Sequence, residues 1–222
     1  MWRDAVIVGG KDLRVELQSR VATMQVAPYA VLVLLLFGFA FDQDHTLLTQ
    51  AAPGLFWVAV LLCSLLTVQR SYAIEAADGA RDGLRLSGLD PAGIFLGKAA
   101  AVAAQLLALE VLLGAGVVIL FGTRLHDPAL LILSALAATV GLAAAGTVYG
   151  MISSGLRVRE TLLPLLVMPV VAPVLLAATQ CWMAALGSSS TDGWKWLSLL
   201  VAFGVIYLAL GVLSFSTLVE ET

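Results

Sequence analysis

The sequence predicts an all-α, polytopic membrane protein: a bundle of six transmembrane helices, with an amphipathic helix before it and a short helix in one loop. Three observations carry that expectation. Apolar residues make up 60% of the 222-residue chain against 12% charged, and the mean hydropathy is +0.98. Soluble domains hold about a quarter of their residues as Asp, Glu, Lys and Arg to cover a wet surface. Apolar runs of about 20 residues, the length of helix that crosses a hydrocarbon core, recur along the chain. The charges gather between those runs, mostly on one side.

Residues 1–20 come first. Trp2, Val6, Leu13 and Leu17 share one helical stripe, and Arg3, Lys11 and Arg14 lie mostly off it. This suits an amphipathic helix lying in the membrane interface. Ile7, Val8 and Val15 blur the stripe, so a loosely ordered charged tail is the other reading. The charges of this segment do not suit a cleavable signal peptide. The spans follow at 21–41, 53–72, 99–121, 128–152, 161–186 and 196–219. Pro53-Gly54 opens the second and Lys98 precedes the third.

Lys and Arg placement sets the orientation. Arg3, Lys11, Arg14, Arg20, Arg70, Arg81, Arg85, Lys98, Arg157 and Arg159 fall on one side, leaving Arg124 and Lys195 on the other. Both termini are therefore expected on the cytoplasmic side. The outer loops, 42–52, 122–127 and 187–195, are too short for a domain. The one long connection, 71–98, is cytoplasmic.

In that connection the second span continues as helix to about Ala77. Asp78-Gly79 is a stop signal, and Asp78 can cap a short helix over 80–86 with Asp82 in its first turn. Asp90-Pro91 then ends the element and Gly97-Lys98 starts the third span. Two readings are open. The loop helix is a solvated connector, or it is a knob for a soluble partner, anchored by Leu84 and Leu86 and rimmed by Arg81, Asp82 and Arg85.

No catalytic or nucleotide-binding machinery is evident. Gly93-Ile-Phe-Leu-Gly97-Lys98-Ala99 is one residue short of a phosphate-binding loop and ends in Ala where a Mg²⁺-binding hydroxyl is needed. A net charge of −3 disfavours nucleic acid. Cys63 and Cys181 sit in apolar runs without metal-ligand spacing.

Glu110 is the most informative single residue, since a charge at mid-span costs about 2.5–3.5 kcal/mol on insertion scales. Thr139 lies at similar depth and can hydrogen-bond it, and Gln105 is a turn or so away. Glu110 is thus either a lining residue of a transport path or subunit contact, or a neutral acid bonded inside the bundle. His45 and His126, both expected in outer loops, can in principle ligate haem iron, though surface histidines usually do not. Trp182, Trp194 and Trp196 read as an aromatic belt. Pro164, Pro169 and Pro173 should kink the fifth span, as a gate or as ordinary membrane-helix kinks. Gly146 and Gly150 form a G-x-x-x-G packing face.

Three blocks carry a family resemblance. The first is Ala52-Pro53-Gly54-Leu55-Phe56-Trp57-Val58-Ala59. The second is Asp78-Gly79 with Leu84, Leu86 and Gly97-Lys98, and the third is the proline-punctuated segment from Leu163 to Pro173. Over nearly the whole chain the sequence resembles the CcmB family, haem exporter protein B of cytochrome c maturation. It departs from the family pattern at Gln69, Arg81, Asp82, Gly88 and Asp90.

The resemblance implies a non-catalytic permease subunit of an ABC-2-type exporter. It makes the loop element, with Glu75, Asp78, Gly79, Arg81, Asp82, Gly83, Leu84, Arg85 and Leu86, the coupling helix seated on a cytoplasmic ATPase. ATP and Mg²⁺ then belong to that ATPase dimer, haem is the cargo of the complex, and no cofactor is assigned to this chain. A haem-handling membrane subunit is the implied membrane partner; six spans make half of a usual exporter, so a second permease copy or another membrane protein is expected to complete the bundle. The alternatives are a generic ABC-2 permease for lipid, drug or polymer, and a membrane scaffold without a transport role.

Overall fold

Aspartate sets the first turn of three helices. Asp90 and Asp127 each precede a proline, which at the first helical position gives up only an N–H that would find no partner there. Asp90 Oδ1 accepts from the Ala92 N–H at 3.2 Å, Asp127 Oδ1 from Leu130 at 3.0 Å, and Asp192 Oδ1 from Trp194 at 3.2 Å. Asp90-Pro91 therefore starts a helix, ahead of the Gly97-Lys98 step at which the sequence places the start of the third span. The Asp90 side chain caps the residues that follow.

The structure is a computed structural model that describes residues 1–19, 26–40, 45–77, 88–122, 125–154 and 159–221. Among them are seven helices: α1 (Trp2–Ser19), α2 (Ala27–Ala40), α3 (His45–Ala77), α4 (Pro91–Phe121), α5 (Pro128–Ser154), α6 (Arg159–Ala185) and α7 (Gly193–Glu221). Five of these, α3 to α7, are long and apolar enough to cross a membrane. The span expected at 21–41 is represented by α2, whose 14 residues reach about 21 Å at 1.5 Å per residue, short of a hydrocarbon core of about 30 Å.

Several boundaries differ from the sequence reading. Pro53 lies inside α3, which begins eight residues earlier at His45, so His45 belongs to a helix and not to an outer loop. Neighbouring helices tolerate a proline inside a membrane helix by re-satisfying the freed backbone. The connection expected over 71–98 is helical over 71–77 and 91–98. The expected short helix at 80–86 lies outside the described residues. With 31 residues, α4 is about 46 Å long and exceeds a hydrocarbon core of about 30 Å, which calls for tilt or projection.

The bundle is organised around α4 and α5. Helix α4 touches α1, α2, α3, α5 and α7, and α5 touches α3, α4, α6 and α7. Small residues allow this: Gly141 to Thr147 of α5 are all buried, so neighbouring backbones come close. Leu106 and Leu113 of α4, Leu142 of α5, and Val171 and Val174 of α6 fill the core. Outward, Val111, Ile119 and Leu213 are at least 75% exposed, a surface suited to lipid. Helix α6 ends in a Schellman motif: Gly187 has φ +73°, and Ser188 and Gly187 donate to the carbonyls of Met183 and Ala184.

Candidate functional site

Glu110 sits inside the bundle between α4 and α5, buried with Thr139. The Thr139 Oγ1 stands 2.5 Å from Glu110 Oε1 and 2.8 Å from the carbonyl oxygen of Ala135. Glu110 Oε2 is buried and has no hydrogen-bond partner among the described residues. Gln105 does not join this pair. Five residues at 100° each turn it about 140° around α4 from Glu110.

The second polar assembly lies where α1 crosses the start of α4. Two glycines one turn apart make the groove. A Cβ on Gly93 would meet the Met1 carbonyl oxygen at 2.7 Å, and one on Gly97 would meet the Ala5 carbonyl oxygen at 2.6 Å and the Gly9 nitrogen at 3.0 Å. Beside this seam Lys98, 3% exposed, pairs with Asp12 at 3.4 Å and lies 4.9 Å over the Tyr72 ring. Asp12 also holds Lys11 at 2.9 Å. At the helix start, Asp4 Oδ2 lies 3.2 Å from the Met1 amine and accepts from the Asp90 N–H at 3.4 Å. That amine holds the Asp4 carboxyl below its ordinary range.

The sequence reading does not contain this dock. Its signal is Gly93-x-x-x-Gly97 followed by a cation, a segment that reads as an incomplete phosphate loop and, at Gly97-Lys98, as a span start and a family block. Of the stripe assigned to the interface, Trp2, Val6 and Leu17 are exposed and Leu13 is half-buried, while Val8 and Gly9 contact α4.

The family block places its aromatic residues inside. Ala52, Pro53, Phe56 and Trp57 are buried, while Gly54 is half-buried. Phe56 stacks on Trp182 with centroids 3.9 Å apart, and Trp57 meets Trp182 edge-on at 5.7 Å. Trp182 therefore does not belong to an exposed belt; it packs against α3, whereas Trp194 is exposed.

Other expected residues are placed as follows. Helix α6 runs unbroken through Pro164, Pro169 and Pro173, and Tyr207 of α7 donates to the Val170 carbonyl between the last two at 3.0 Å. Gly146 and Gly150 face Val68 and Tyr72 of α3. His126 is exposed and lies by Gly187 at the α4–α5 connection, where its backbone N–H and that of Asp127 donate to the Ala185 carbonyl. No group of three or more metal-ligating side chains occurs among the described residues. Glu75 is in the last turn of α3, and 78–86 lie outside the described residues.

Comparison with known proteins identifies the family. Heme exporter protein B of Haemophilus influenzae is 29% identical over 175 residues, 79% of each chain. The protein of that name from Paracoccus denitrificans is 29% identical over 207 residues, 90% of this chain and 91% of its own. That from Pseudomonas aeruginosa is 32% identical over 185 residues, 80% of each. The CcmB protein family model matches residues 4–221, a range that includes the Gly93–Gly97 dock, the Glu110 pair and the buried tryptophans, and the chain belongs to the CcmB family.

Proposed function

We propose that this chain is the non-catalytic permease subunit of an ABC exporter complex acting in haem export for c-type cytochrome biogenesis. The observation that carries the reading is the family match over residues 4–221, with relatives named heme exporter protein B. In this reading α2 and its flanks form a sixth span, and both termini face the cytoplasm with the basic residues. Residues 78–87 join the ends of α3 and α4, so a cytoplasmic ATPase that grips this segment pushes on both helices. Arg81, Asp82 and Arg85 supply its polar rim and Leu84 and Leu86 its anchors.

The physics suits α4 as the moving part. A helix that touches five others transmits a displacement at its Pro91 end to most of the bundle, provided the bundle has two arrangements that ATP binding biases. Docking of α1 over Gly93 and Gly97 stiffens that end. The α4–α5 seam at Glu110 and Thr139, and the proline-bearing α6, are then the places where the arrangement changes. A second permease copy completes the bundle, a haem-handling membrane subunit presents the cargo, and ATP with Mg²⁺ is used on the partner ATPase.

The test is a mild-detergent pull-down of the tagged chain from its native membrane, with mass spectrometry and a haem absorption spectrum. Recovery of an ABC ATPase with a haem-binding membrane subunit is the expected result. An ATPase without a haem-binding partner would point to an exporter of another substrate. A folded preparation with neither would leave a membrane scaffold.

A further inference from the structure

Thr139 makes two short oxygen contacts but has one hydroxyl proton. The Ala135 carbonyl can only accept, so the 2.8 Å contact takes that proton. Nothing is then left on Thr139 for Glu110 Oε1 at 2.5 Å. Two oxygens that close without a proton between them repel, so the proton comes from the carboxyl. The result is a relay in which Glu110 donates to Thr139 and Thr139 donates to Ala135.

The other carboxyl oxygen points the same way. Glu110 Oε2 is buried without a partner among the described residues. On a carboxylate that atom would carry unsolvated charge; on a neutral acid it is one unmet acceptor, a far smaller penalty. Among the described residues no counter-charge pairs with it. Lys98, on the same helix, is twelve residues away, about 18 Å along the axis, and is paired with Asp12 of α1. The other packed helices bring Tyr29 (α2), Cys63, Arg70 and Tyr72 (α3), Tyr149 (α5), and Lys195 and Tyr207 (α7). Among the described residues none of these hydrogen-bonds or ion-pairs with Glu110.

We propose that Glu110 is an intramembrane proton site, filled while α4 and α5 are closed against each other and emptied to water when the seam parts. The second half rests on the permease reading, because it needs a second arrangement of the bundle; the first half does not. In water a glutamic acid ionises at about pH 4.3, so a parted seam at neutral pH releases the proton. Parting is therefore linked to proton release and becomes easier as pH rises.

The experiment is infrared difference spectroscopy of the full chain in nanodiscs at neutral pH, wild type against E110Q. A protonated-carboxyl band in the wild type that is lost in E110Q is expected. In T139V the same band should persist at a shifted frequency, which identifies it even if E110Q folds poorly. Absence of any such band, or one indifferent to both changes, would overturn the proton site. With the partner ATPase trapped by vanadate, the band should fall and a pH dye should report released protons. An unchanged band in a trapped, inhibited complex would overturn the release step while leaving the site. If no ATPase is recovered, the permease reading fails, and the spectrum of the chain alone still decides the site.

Discussion

Gly93-x-x-x-Gly97 and Gly146-x-x-x-Gly150 have the same spacing but meet different surfaces. At the α1–α4 seam a Cβ on either glycine would strike main-chain atoms: the Met1 and Ala5 carbonyl oxygens at 2.7 and 2.6 Å. At the α3–α5 seam the obstacles are side chains. The Val68 methyls lie 2.8 Å from where Cβ atoms on Gly146 and Gly150 would be, and the Tyr72 ring lies against Gly150. Side chains can turn aside at some cost, whereas a helix backbone can only move as a whole. One seam therefore clamps a separate helix onto the end of the bundle, and the other adjusts spacing within it.

The largest expected effect follows from that difference. G97A should push α1 off its groove at about 3 kcal/mol, the upper end of overpacking costs. Hydrogen exchange of the α1 amides should speed up by roughly 100-fold. The buried thiols of Cys63 and Cys181 should meanwhile stay as slow towards a thiol-reactive dye as in wild type, because the bundle itself is intact. Unchanged α1 exchange in G97A would mean that the close approach does not set the dock.

Next in size is the ion pair beside the same groove. Asp12 is one of the partners of an almost fully buried ammonium, and a hydrogen bond to a charged group contributes about 1.5–3 kcal/mol. D12N should therefore speed α1 exchange by about 30-fold, taking roughly 2 kcal/mol as its cost. It should leave dye labelling of Cys181 unaltered. If D12N and wild type exchange alike, Lys98 is held by its other contacts and the dock is steric alone.

The two seams also differ in how well the sequence announced them. Gly146 and Gly150 lie in the middle of an apolar run, where a small-residue pair has no reading other than helix packing. Gly93 and Gly97 lie between a proline that reads as the end of one element and a lysine that reads as the start of the next span, so the segment between them reads as a connection. Asp90-Pro91 is compatible with a helix end or a helix start, and only the Ala92 N–H donating to Asp90 decides it. Trp182 was assigned to a belt because it lies near a span end; that it stacks on Phe56 depends on α6 packing against α3, which no local pattern encodes. Glu110 and Thr139 were legible as a pair because a polar side chain at mid-span must find a partner at its own depth.

A smaller effect is expected at the inner seam. G150A must displace both the Tyr72 ring and Val68, and relaxation of side chains should limit the cost to about 1–2 kcal/mol. It should be visible as faster labelling of Cys63 and Cys181 on heating, with α1 exchange moved little. A G150A chain whose α1 exchanges as fast as that of G97A would erase the distinction between clamp and spacer.

Tyr72 is where the two seams meet, and it gives the finest test. Its hydroxyl donates to the Thr147 carbonyl at 2.8 Å, its ring lies under Lys98, and its edge faces Gly150. Y72F removes only the hydroxyl and should cost about 1 kcal/mol. Because G150A already forces the ring away from α5, the hydroxyl is lost to Thr147 in that background, and adding Y72F should then cost almost nothing. Lys98 lies over the ring face and not the hydroxyl, so Y72F should be additive with D12N. Coupling with G150A and additivity with D12N would show that the seams share a residue but transmit through different parts of it. The reverse pattern, additive with G150A and coupled to D12N, would mean that Tyr72 belongs to the α1 clamp and that the inner seam is held by Val68 alone.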